Sequence, residues 1–279
     1  MTGEFEGKVV LVTGGSQGIG YAMADAFSKR GAKVTIFARN AAQVAQAAKE
    51  LSCEGAALDV GDSQAVKKAF DSIAQKNGGI DVLVNCAGIY GPIGPIEGND
   101  SGNWAQAMHI NLCGTAFSCQ AAIPHMKKRK SGCIINMAGG GVGGSKLKPN
   151  FSCYTTSKFG ICGFTEALSK ELEGTGVRVN AISPGAVNTR LLEEVLSAGA
   201  KAGKDFLEAS KKQKQSGGTP PGAAAELALF LASEKAAHIS GKVLSAVWDK
   251  KELLTLPSSG SPDIFVLRRI DNELYCGKK

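Results

Sequence analysis

A tyrosine and a lysine, Tyr154 and Lys158, stand four residues apart in a segment with a helical pattern. On a helix this spacing places both side chains on one face, about 6 Å apart along the axis. An ammonium at that distance favours the ionised phenol, so the spacing predicts a lowered pKa for Tyr154. Such a tyrosine suits an acid/base that exchanges a proton during carbonyl reduction or alcohol oxidation. Because the same spacing also occurs by chance on helices, this hypothesis depends on the elements around the pair.

A glycine-rich turn follows the first apolar run of the chain. Residues 8–13 are mostly apolar and β-branched, Gly14, Gly18 and Gly20 come next, and a helical pattern covers residues 21–30. In a strand–turn–helix unit, backbone N–H groups and the helix N-terminus form a site for a pyrophosphate. The spacing Gly-x-x-x-Gly-x-Gly differs from the usual Gly-x-Gly-x-x-Gly. The pattern predicts phosphate binding, and the alternative is a turn needed for loop geometry alone.

The second apolar run, residues 33–38, ends beside an arginine, Arg39, and not beside an acidic residue. In sites for NAD, an Asp or Glu near this strand end hydrogen-bonds the ribose hydroxyls. A guanidinium instead matches a phosphate, which a carboxylate would repel. We therefore predict NADP in preference to NAD, with Arg39 and Asn40 beside its phosphate. The alternative is an exposed arginine at the end of a strand.

Apolar and amphipathic segments alternate along most of the chain. The predicted strands cover residues 8–13, 33–38, 55–60, 80–85, 133–137, 177–182 and 243–247. The predicted helices cover residues 21–30, 41–52, 62–77, 101–130 (as one or two helices), 152–174 and about 220–234. This alternation predicts an α/β fold: a Rossmann-like, doubly wound parallel sheet of about seven strands, with helices on both faces, in a single domain.

The carboxyl ends of the predicted strands carry residues suited to a ligand site. In open parallel sheets, ligands bind in the crevice outside these ends. The residues that fall there are Gly14, Asp59, residues 85–88, Gly139, Pro184 and Gly185. Their convergence strengthens the chemical interpretation of Tyr154 and Lys158.

Two segments stand apart from this alternation. Residues 189–218 form a charged, mostly helical insertion within a catalytic domain that we predict to span residues 1–248. An insertion beside the site favours a substrate lid, and the alternative is a surface helical hairpin. Thr219 is expected to cap the helix that follows. For the C-terminal tail, residues 249–279, three alternatives stay open: packing on its own domain, contact with a neighbouring subunit, or partial disorder.

Composition restricts the class of protein. Hydrophobic residues make up 43% and charged residues 20% of the 279 residues, which is typical of soluble globular domains. No apolar run is long enough to cross a bilayer, and the N-terminus shows no signal-peptide pattern. The eight cysteines form no Cys-x-x-Cys motif. We expect reduced, mostly buried thiols in a cytoplasmic protein, with disulfides in an oxidising compartment as the alternative.

Histidines and charges bear on possible ligands. His109, His125 and His238 show no ligand spacing, so no metal site is predicted. The net charge of +7 is concentrated in residues 127–130, in residues 201–214 and near the C-terminus. Solvated helix ends and loops explain it most simply, and a preference for an anionic substrate is the alternative. Nucleic-acid binding is not expected, because the basic segments lack interleaved aromatic residues and a binding motif.

Together these motifs resemble the short-chain dehydrogenase/reductase family, in its shorter single-domain form. The similarity covers about residues 5–248. It rests on Thr13, Gly14, Gly18, Ile19, Gly20, Asp59, Val60, residues 85–88, Asn111, Tyr154, Lys158, residues 184–187 and Thr189. The family usually has a second asparagine at the position of Cys86.

The resemblance implies catalytic roles for three residues. Tyr154 would exchange a proton with the substrate oxygen while a hydride passes to or from C4 of a nicotinamide. Lys158 would hold the nicotinamide ribose hydroxyls and lower the pKa of Tyr154. Asn111 would keep a water in a proton relay behind Lys158. For Asn111, a core asparagine is the alternative.

The resemblance also implies where the cofactor contacts the chain. The glycine turn would line the pyrophosphate, Asp59 and Val60 the adenine, and Val187 and Thr189 the carboxamide end. With the rim residues inferred above, the expected cofactor-binding set is Gly14, Ser16, Gln17, Gly18, Ile19, Gly20, Arg39, Asn40, Asp59, Val60, Asn85, Ala87, Gly88, Tyr154, Lys158, Pro184, Gly185, Val187 and Thr189. Asn85, Ala87 and Gly88 would flank the ribose. For residues 184–185, an ordinary turn is the alternative.

One departure from the family pattern concerns catalysis. The family has a serine just after the strand that ends at Met137, and this serine hydrogen-bonds the reacting oxygen. Here Ala138 and Gly139 occupy the expected positions. Losing one such donor can lower the rate by roughly 10²–10³. Ser145, Ser152, backbone N–H groups of the glycine run, or a polar group of the substrate are the candidates for compensation.

The sequence thus supports one function and leaves two others open. The first is an NADP-dependent oxidoreductase that interconverts a secondary alcohol and a ketone on a small polar metabolite, with an anionic substrate as one form of it. The second is a catalytically weak dinucleotide-binding scaffold or sensor. A sugar-nucleotide epimerase or dehydratase is the third, although it usually needs a larger substrate domain. The resemblance further implies a homodimer or homotetramer formed through the helices that carry Asn111 and Tyr154.

Overall fold

The computed structural model describes residues 3–139, 141–142, 147–249, 254–256 and 265–266. Its strands are β1 (Val9–Thr13), β2 (Lys33–Ala38), β3 (Glu54–Ala57), β4 (Val82–Asn85), β5 (Gly132–Met137), β6 (Val177–Ser183) and β7 (Val243–Ser245). All are parallel and form one sheet in the order β3-β2-β1-β4-β5-β6-β7. The order reverses between β1 and β4, where a crevice opens at the carboxyl ends. The predicted seven-stranded, single-domain α/β fold is confirmed.

Helices connect the strands and cover both faces of the sheet. They are α1 (Gly18–Ser28), α2 (Ala41–Leu51), α3 (Ser63–Asn77), α4 (Ser101–Met108), α5 (Gly114–Arg129), α6 (Ser152–Glu171), α7 (Arg190–Ala198), α8 (Lys204–Ser216) and α9 (Pro221–Ala232). A π-helical turn (His109–Cys113) joins α4 to α5. The predicted order of strands and helices is therefore confirmed, with element ends shifted by a few residues.

Strand residues alternate between two buried apolar clusters. Val10 of β1 belongs to the cluster that includes Phe27 of α1 and Leu227 of α9. Its neighbour Leu11 belongs to the cluster on the other face, with Phe70 of α3. Because both faces are covered, the strands are continuous apolar runs, and their carboxyl ends form a rigid platform for the site.

Two local expectations were wrong. β3 ends at Ala57, and Asp59 lies beyond it in a turn, where its carboxylate accepts a hydrogen bond from the N–H of Gly61 (2.9 Å). Thr219 does not cap α9, since Pro220 occupies the cap position without a side-chain hydrogen bond. Thr219 instead donates its backbone N–H to the carbonyl of Ala186 (2.8 Å), which ties the start of α9 to the loop after β6.

The described parts of the C-terminal tail contact the catalytic domain. Leu254 is buried in the apolar cluster of α1 and α9, and Phe265 contacts the same cluster. The edge strand β7 donates the N–H of Val243 to the carbonyl of Phe265 (2.7 Å). These contacts fit the first of the three alternatives for the tail. Most of the tail, with Cys276, and also Ser145 lie outside the described residues.

Within the described ranges, no helix is long and apolar enough to cross a membrane. The seven cysteines of these ranges are free thiols. Burial raises the pKa of Cys119 and of Cys162 to about 12, so both remain protonated at neutral pH. In the same part of the chain, no three metal-ligating side chains cluster.

Candidate active site

The glycine turn between β1 and α1 brings two backbone segments into close contact. A Cβ at Gly14 would lie 2.7 Å from the backbone nitrogen of Ala87, and φ is +68° at Gly14 and +60° at Gly18, a region that favours glycine. The hydroxyl of Thr13 accepts a hydrogen bond from the N–H of Ala87 (3.3 Å). The N-cap residue of α1, Gln17, makes no side-chain cap hydrogen bond, so its side chain does not occupy the first N–H groups of the helix. This geometry fits a bound phosphate.

A cavity of about 350 Å³ extends from this turn across the ends of β2 and β3. The predicted cofactor residues that line it are Gly14, Ser16, Gln17, Gly18, Ile19, Arg39, Asn40, Asp59, Val60, Ala87, Gly88 and Thr189. Arg39 is exposed at the rim and forms no ion pair with another described residue. Asn40 has a structural role as well, because its side chain caps α2 by accepting the N–H of Gln43 (3.0 Å).

A second cavity, of about 300 Å³, adjoins the first and shares Ile19, Thr189 and Leu191 with it. The predicted residues that line it are Ile19, Tyr154, Pro184, Gly185, Val187 and Thr189. Its outer wall comes from the insertion, through residues of α7 and α8. The catalytic tyrosine candidate therefore lines the second cavity, which adjoins the predicted phosphate site.

Four predicted residues line neither cavity: Gly20, Asn85, Asn111 and Lys158. Gly20 packs against the turn, where a Cβ would lie 2.3 Å from the carbonyl oxygen of Gly14. The side chain of Asn85 points into the core, where it donates to Asn136 (2.9 Å) and to the thiol of Cys119 (3.3 Å). The side chain of Asn85 is therefore directed away from both cavities, and the expectation that this residue flanks the ribose stays a prediction. Its amide joins β4 to β5.

Replacing Asn136 by alanine is expected to lower the free energy of unfolding by about 2–4 kcal/mol. Asn136 is fully buried, accepts from Asn85 and donates to the hydroxyl of Thr165 (2.9 Å), so the change would leave buried polar groups unpaired. Urea denaturation measures the difference. As a control, Asn77→Ala removes one bond at a helix end (3.1 Å) and should cost under about 1 kcal/mol. Equal losses of unfolding free energy in the two variants would contradict the structural role assigned to the Asn136 amide.

Tyr154 and Lys158 lie one turn apart on α6, as their spacing predicts. The Nζ atom of Lys158 lies 5.5 Å from the centroid of the Tyr154 ring and donates a hydrogen bond to the carbonyl of Met137 (2.9 Å). Lys158 is 5% exposed. The hydroxyl of Tyr154 makes no hydrogen bond with any described residue. It is therefore free to bind a substrate oxygen.

The predicted lowering of the Tyr154 pKa is wrong for this structure. Burial raises the pKa of Tyr154, and the neighbouring phenol of Tyr90 raises it further. Burial also lowers the pKa of Lys158 to about 8, an effect opposed by the thiols of Cys86 and Cys162. Desolvation disfavours the charged form of each side chain and is the largest cause of both shifts. At neutral pH Tyr154 is a protonated donor.

Asn111 lies in the π-helical turn, where the extra residue re-aims the side chain. Its amide accepts from the N–H of Ile89 (2.9 Å) and donates to the carbonyl of Ile89 (2.8 Å) and to the hydroxyl of Ser157 (3.0 Å). Asn111 thus fixes the segment after β4 against α6. A Cβ at Gly88 would lie 3.2 Å from Asn111 and 3.8 Å from the Nζ of Lys158, so all three residues are close together.

The position of the missing serine faces the phenol. A Cβ at Gly139 would lie 3.4 Å from the Tyr154 hydroxyl, and φ at Gly139 is +146°, which L-residues rarely adopt. Ala138 is buried in an apolar cluster with Cys162. Ser152, one candidate for compensation, is exposed and lines neither cavity. The described side chains at these positions therefore provide no replacement donor.

Sequence reasoning missed the aromatic wall of the second cavity, which consists of Tyr90, Phe151 and Phe206. The ring of Tyr90 lies 4.4 Å from that of Tyr154 and 5.4 Å from that of Phe151. Lys148, at the same cavity, lies 5.4 Å from the Phe206 ring. The signal available in the sequence was the position of Tyr90, two residues after Gly88 at a strand end.

A larger groove, of about 700 Å³, lies at the opposite end of the sheet, where the strands begin. Residues such as Lys130, Arg178 and Lys242 line it, and it contains none of the predicted site residues. Ligands of parallel sheets bind at the carboxyl ends, so the two adjoining cavities are the better candidates despite their smaller volumes.

Comparisons with known proteins agree with this geometry. A family model described as short chain dehydrogenase matches residues 8–199. The chain is 37% identical over 242 residues to D-threitol dehydrogenase of Mycolicibacterium smegmatis, covering 85% of this chain and 90% of that protein. It is 32% identical over 244 residues to a 3-oxoacyl-acyl-carrier-protein reductase of Thermotoga maritima, covering 86% of this chain and 96% of that protein. The structure of NAD⁺-bound xylitol dehydrogenase superposes with a TM-score of 0.77 at 27% identity, covering 86% of this chain and 98% of that one. The chain therefore belongs to the short-chain dehydrogenase/reductase family of oxidoreductases, which bind NAD(P).

Proposed function

We propose that the chain is an NADP-dependent oxidoreductase that interconverts a secondary alcohol and a ketone on a small polar metabolite. The observation that carries the proposal is the phenol of Tyr154, which makes no hydrogen bond with any described residue and lines the aromatic cavity beside the phosphate-binding one. A bound nicotinamide dinucleotide would supply or accept the hydride. Tyr154 would give a proton to the substrate oxygen in reduction and take it back in oxidation.

The other two residues would act around this proton transfer. Lys158 is held by the Met137 carbonyl with its ammonium beside the Tyr154 ring, so its charge would favour transient ionisation of the phenol. Asn111 is buried between Ile89 and Ser157 and would keep the segment after β4 in register with α6. The relay water that the resemblance implies at Asn111 stays part of the proposal.

Turnover tests the proposal directly. The protein would be incubated with NADP, NADPH, NAD and NADH and a panel of ketones, sugars and polyols that includes threitol and xylitol. We expect oxidation or reduction of at least one panel compound. Cofactor binding without turnover across the panel would favour the alternative, a catalytically weak scaffold or sensor. This alternative is favoured by one observation: Gly139 has no side chain that could donate a hydrogen bond to the substrate oxygen.

Arg39→Ala is expected to raise the Kd of NADPH about 10–100-fold and to leave the Kd of NADH unchanged. The reason is the loss of a charge-assisted hydrogen bond to the ribose phosphate, which NADPH has and NADH lacks. Calorimetric titration measures both constants. Lys49→Ala is the matched control, since Lys49 is exposed on α2 and outside the cavity. Equal affinities of the parent for NADPH and NADH would refute the NADP preference. The affinities for both cofactors must be compared because a structurally similar protein, xylitol dehydrogenase, binds NAD⁺.

The substrate cavity supports a molecule with both an apolar and a polar part. Tyr90, Phe151 and Phe206 would cover the apolar part, and Lys148 and Gln213 offer polar groups at the same cavity. The ammonium of Lys148 favours an anionic substituent. We propose that the insertion, residues 189–218, is the lid over this cavity, because α7 and α8 form its outer wall.

We propose residues 1–248 as the catalytic domain and residues 249–279 as a C-terminal tail, of which Leu254 and Phe265 contact that domain. A cytoplasmic location is supported by the free thiols. We also propose that the chain forms a homodimer or homotetramer through the helices that carry Asn111 and Tyr154. The family resemblance is the only support for this proposal. Sedimentation of the purified protein tests it.

A further inference from the structure

Tyr90 is the second phenol at the active-site cavity. Its ring lies 4.4 Å from the ring of Tyr154, at an interplanar angle of 52°, and both residues line the same cavity. The hydroxyl of Tyr90 makes no hydrogen bond with any described residue. Packing alone would be served equally well by phenylalanine, so a cavity hydroxyl with no hydrogen-bond partner among the described residues is the feature that needs a function.

The backbone on both sides of Tyr90 is held firmly. On one side, the amide of Asn111 binds both the N–H and the carbonyl of Ile89 (2.9 and 2.8 Å). On the other side, Gly91 has a φ of +72°, and a Cβ there would lie 2.6 Å from the Cβ of Ala107 and 3.1 Å from the thiol of Cys153. A donor anchored in this way needs little reorganisation when it binds.

The electrostatic environment keeps Tyr90 protonated. Burial and the nearby carboxylate of Glu194 raise the pKa of Tyr90 to about 12. At neutral pH the side chain is therefore a neutral phenol whose O–H can donate. The ring of Phe151, 5.4 Å away, holds the phenol from the other side.

We propose that the Tyr90 hydroxyl donates the second hydrogen bond to the substrate oxygen, the bond that a serine at position 139 would otherwise provide. This inference rests on the proposed function. In reduction the oxygen would gain its proton from Tyr154, while Tyr90 keeps its own proton and stabilises the negative charge that develops on the oxygen. Tyr90 would thereby be a further catalytic residue, in contact with the reacting atom.

The test compares single-hydroxyl deletions. Tyr90→Phe should lower kcat about 10²-fold on the best compound of the panel, with KM and the thermal midpoint nearly unchanged. Tyr21→Phe is the matched control and should retain the parent kcat. Tyr21 lies on α1 outside both cavities, and its phenol donates a hydrogen bond to Glu50 of α2 (3.1 Å). Adding Gly139→Ser to Tyr90→Phe should restore part of the rate, limited by the positive φ at position 139.

A binding measurement keeps the inference testable without turnover. The probe is 1-phenyl-2,2,2-trifluoroethanol, a secondary alcohol that resists oxidation, titrated calorimetrically into the protein saturated with NADP. Tyr90→Phe should raise its Kd about 5–10-fold, because one hydrogen bond to the oxygen is lost. Tyr21→Phe should leave the Kd unchanged.

Each outcome bears on one claim. If Tyr154→Phe abolishes turnover but Tyr90→Phe matches Tyr21→Phe in kcat and Kd, the inference is overturned and the proposed function stands. A slower Tyr90→Phe with an unchanged Kd and no rescue by Gly139→Ser also overturns it, because the hydroxyl would then act only in packing. If turnover survives Tyr154→Phe, the proposed function itself fails.

Discussion

Tyr154→Phe is expected to lower kcat by about 10³-fold or more on any compound that the protein turns over, in both directions of the reaction. The change removes one oxygen, and that oxygen is the only acid/base we assign to the substrate. The ring contacts with Tyr90 would persist, so the cavity should keep its shape. Because the Tyr154 hydroxyl makes no hydrogen bond with a described residue, the thermal midpoint should not fall.

Steady-state rates with the preferred cofactor measure this effect, and Kd values for NADPH separate it from cofactor binding. The Kd should change by less than about threefold, since the hydroxyl lies beyond the phosphate-binding cavity. Tyr21→Phe again provides the matched control. A variant that keeps more than about a third of the parent kcat would exclude Tyr154 as the proton donor.

Lys158→Met is expected to lower kcat about 10²-fold, because the ammonium that favours the ionised form of Tyr154 is lost while the volume is roughly kept. The parent should also lose reduction activity as pH rises past about 8, where Lys158 loses its proton in the folded protein. The groups around it are the phenol of Tyr154 and the thiols of Cys86 and Cys162, whose pKa values are all raised. They therefore remain neutral across this pH range.

The same residue has a pH-dependent effect on stability. The pKa of Lys158 is about 8 in the folded protein and about 10.4 in an unfolded chain. Between these values the unfolded state binds more protons, so the contribution of Lys158 to the free energy of unfolding rises with pH, by at most roughly 3 kcal/mol. Lys158→Met should lack this rise. Urea denaturation at pH 7 and at pH 9.5 compares the two proteins.

Lys170→Met is the control for these measurements, because Lys170 is an exposed lysine on the same helix. It should keep the parent pH–rate profile and the parent pH dependence of unfolding. A pH–rate profile that is flat from pH 7 to pH 10 in the parent would contradict the role assigned to the Lys158 ammonium.

The order of strands, helices and the glycine turn could be predicted because each depends on local patterns. Apolar runs such as residues 8–13 and helical periodicity specify elements over a few residues. Parallel sheets then place ligands at the carboxyl ends of their strands, which led from sequence to Gly14 and Gly18 and supported the chemistry inferred from the spacing of Tyr154 and Lys158. The cavities that these residues line agree with that expectation.

Other properties depend on neighbours far apart in the chain. Asn85 follows the same strand-end rule, yet its side chain turns into the core because Asn136, 51 residues away, accepts its amide hydrogen. The pKa of Tyr154 rises although Lys158 is one turn away, because burial in the folded chain is the largest cause of the shift and cannot be read from local spacing.

The composition of the substrate cavity also required the folded chain. Tyr90, Phe151 and Phe206 come from three separate segments and meet only when the insertion folds over the sheet. The positive φ at Gly139 and its closeness to Tyr154 likewise follow from tertiary packing. Spacing along the chain thus identified the reaction class, because that information is local. The donor inferred at Tyr90 emerged from contacts between residues that the sequence separates.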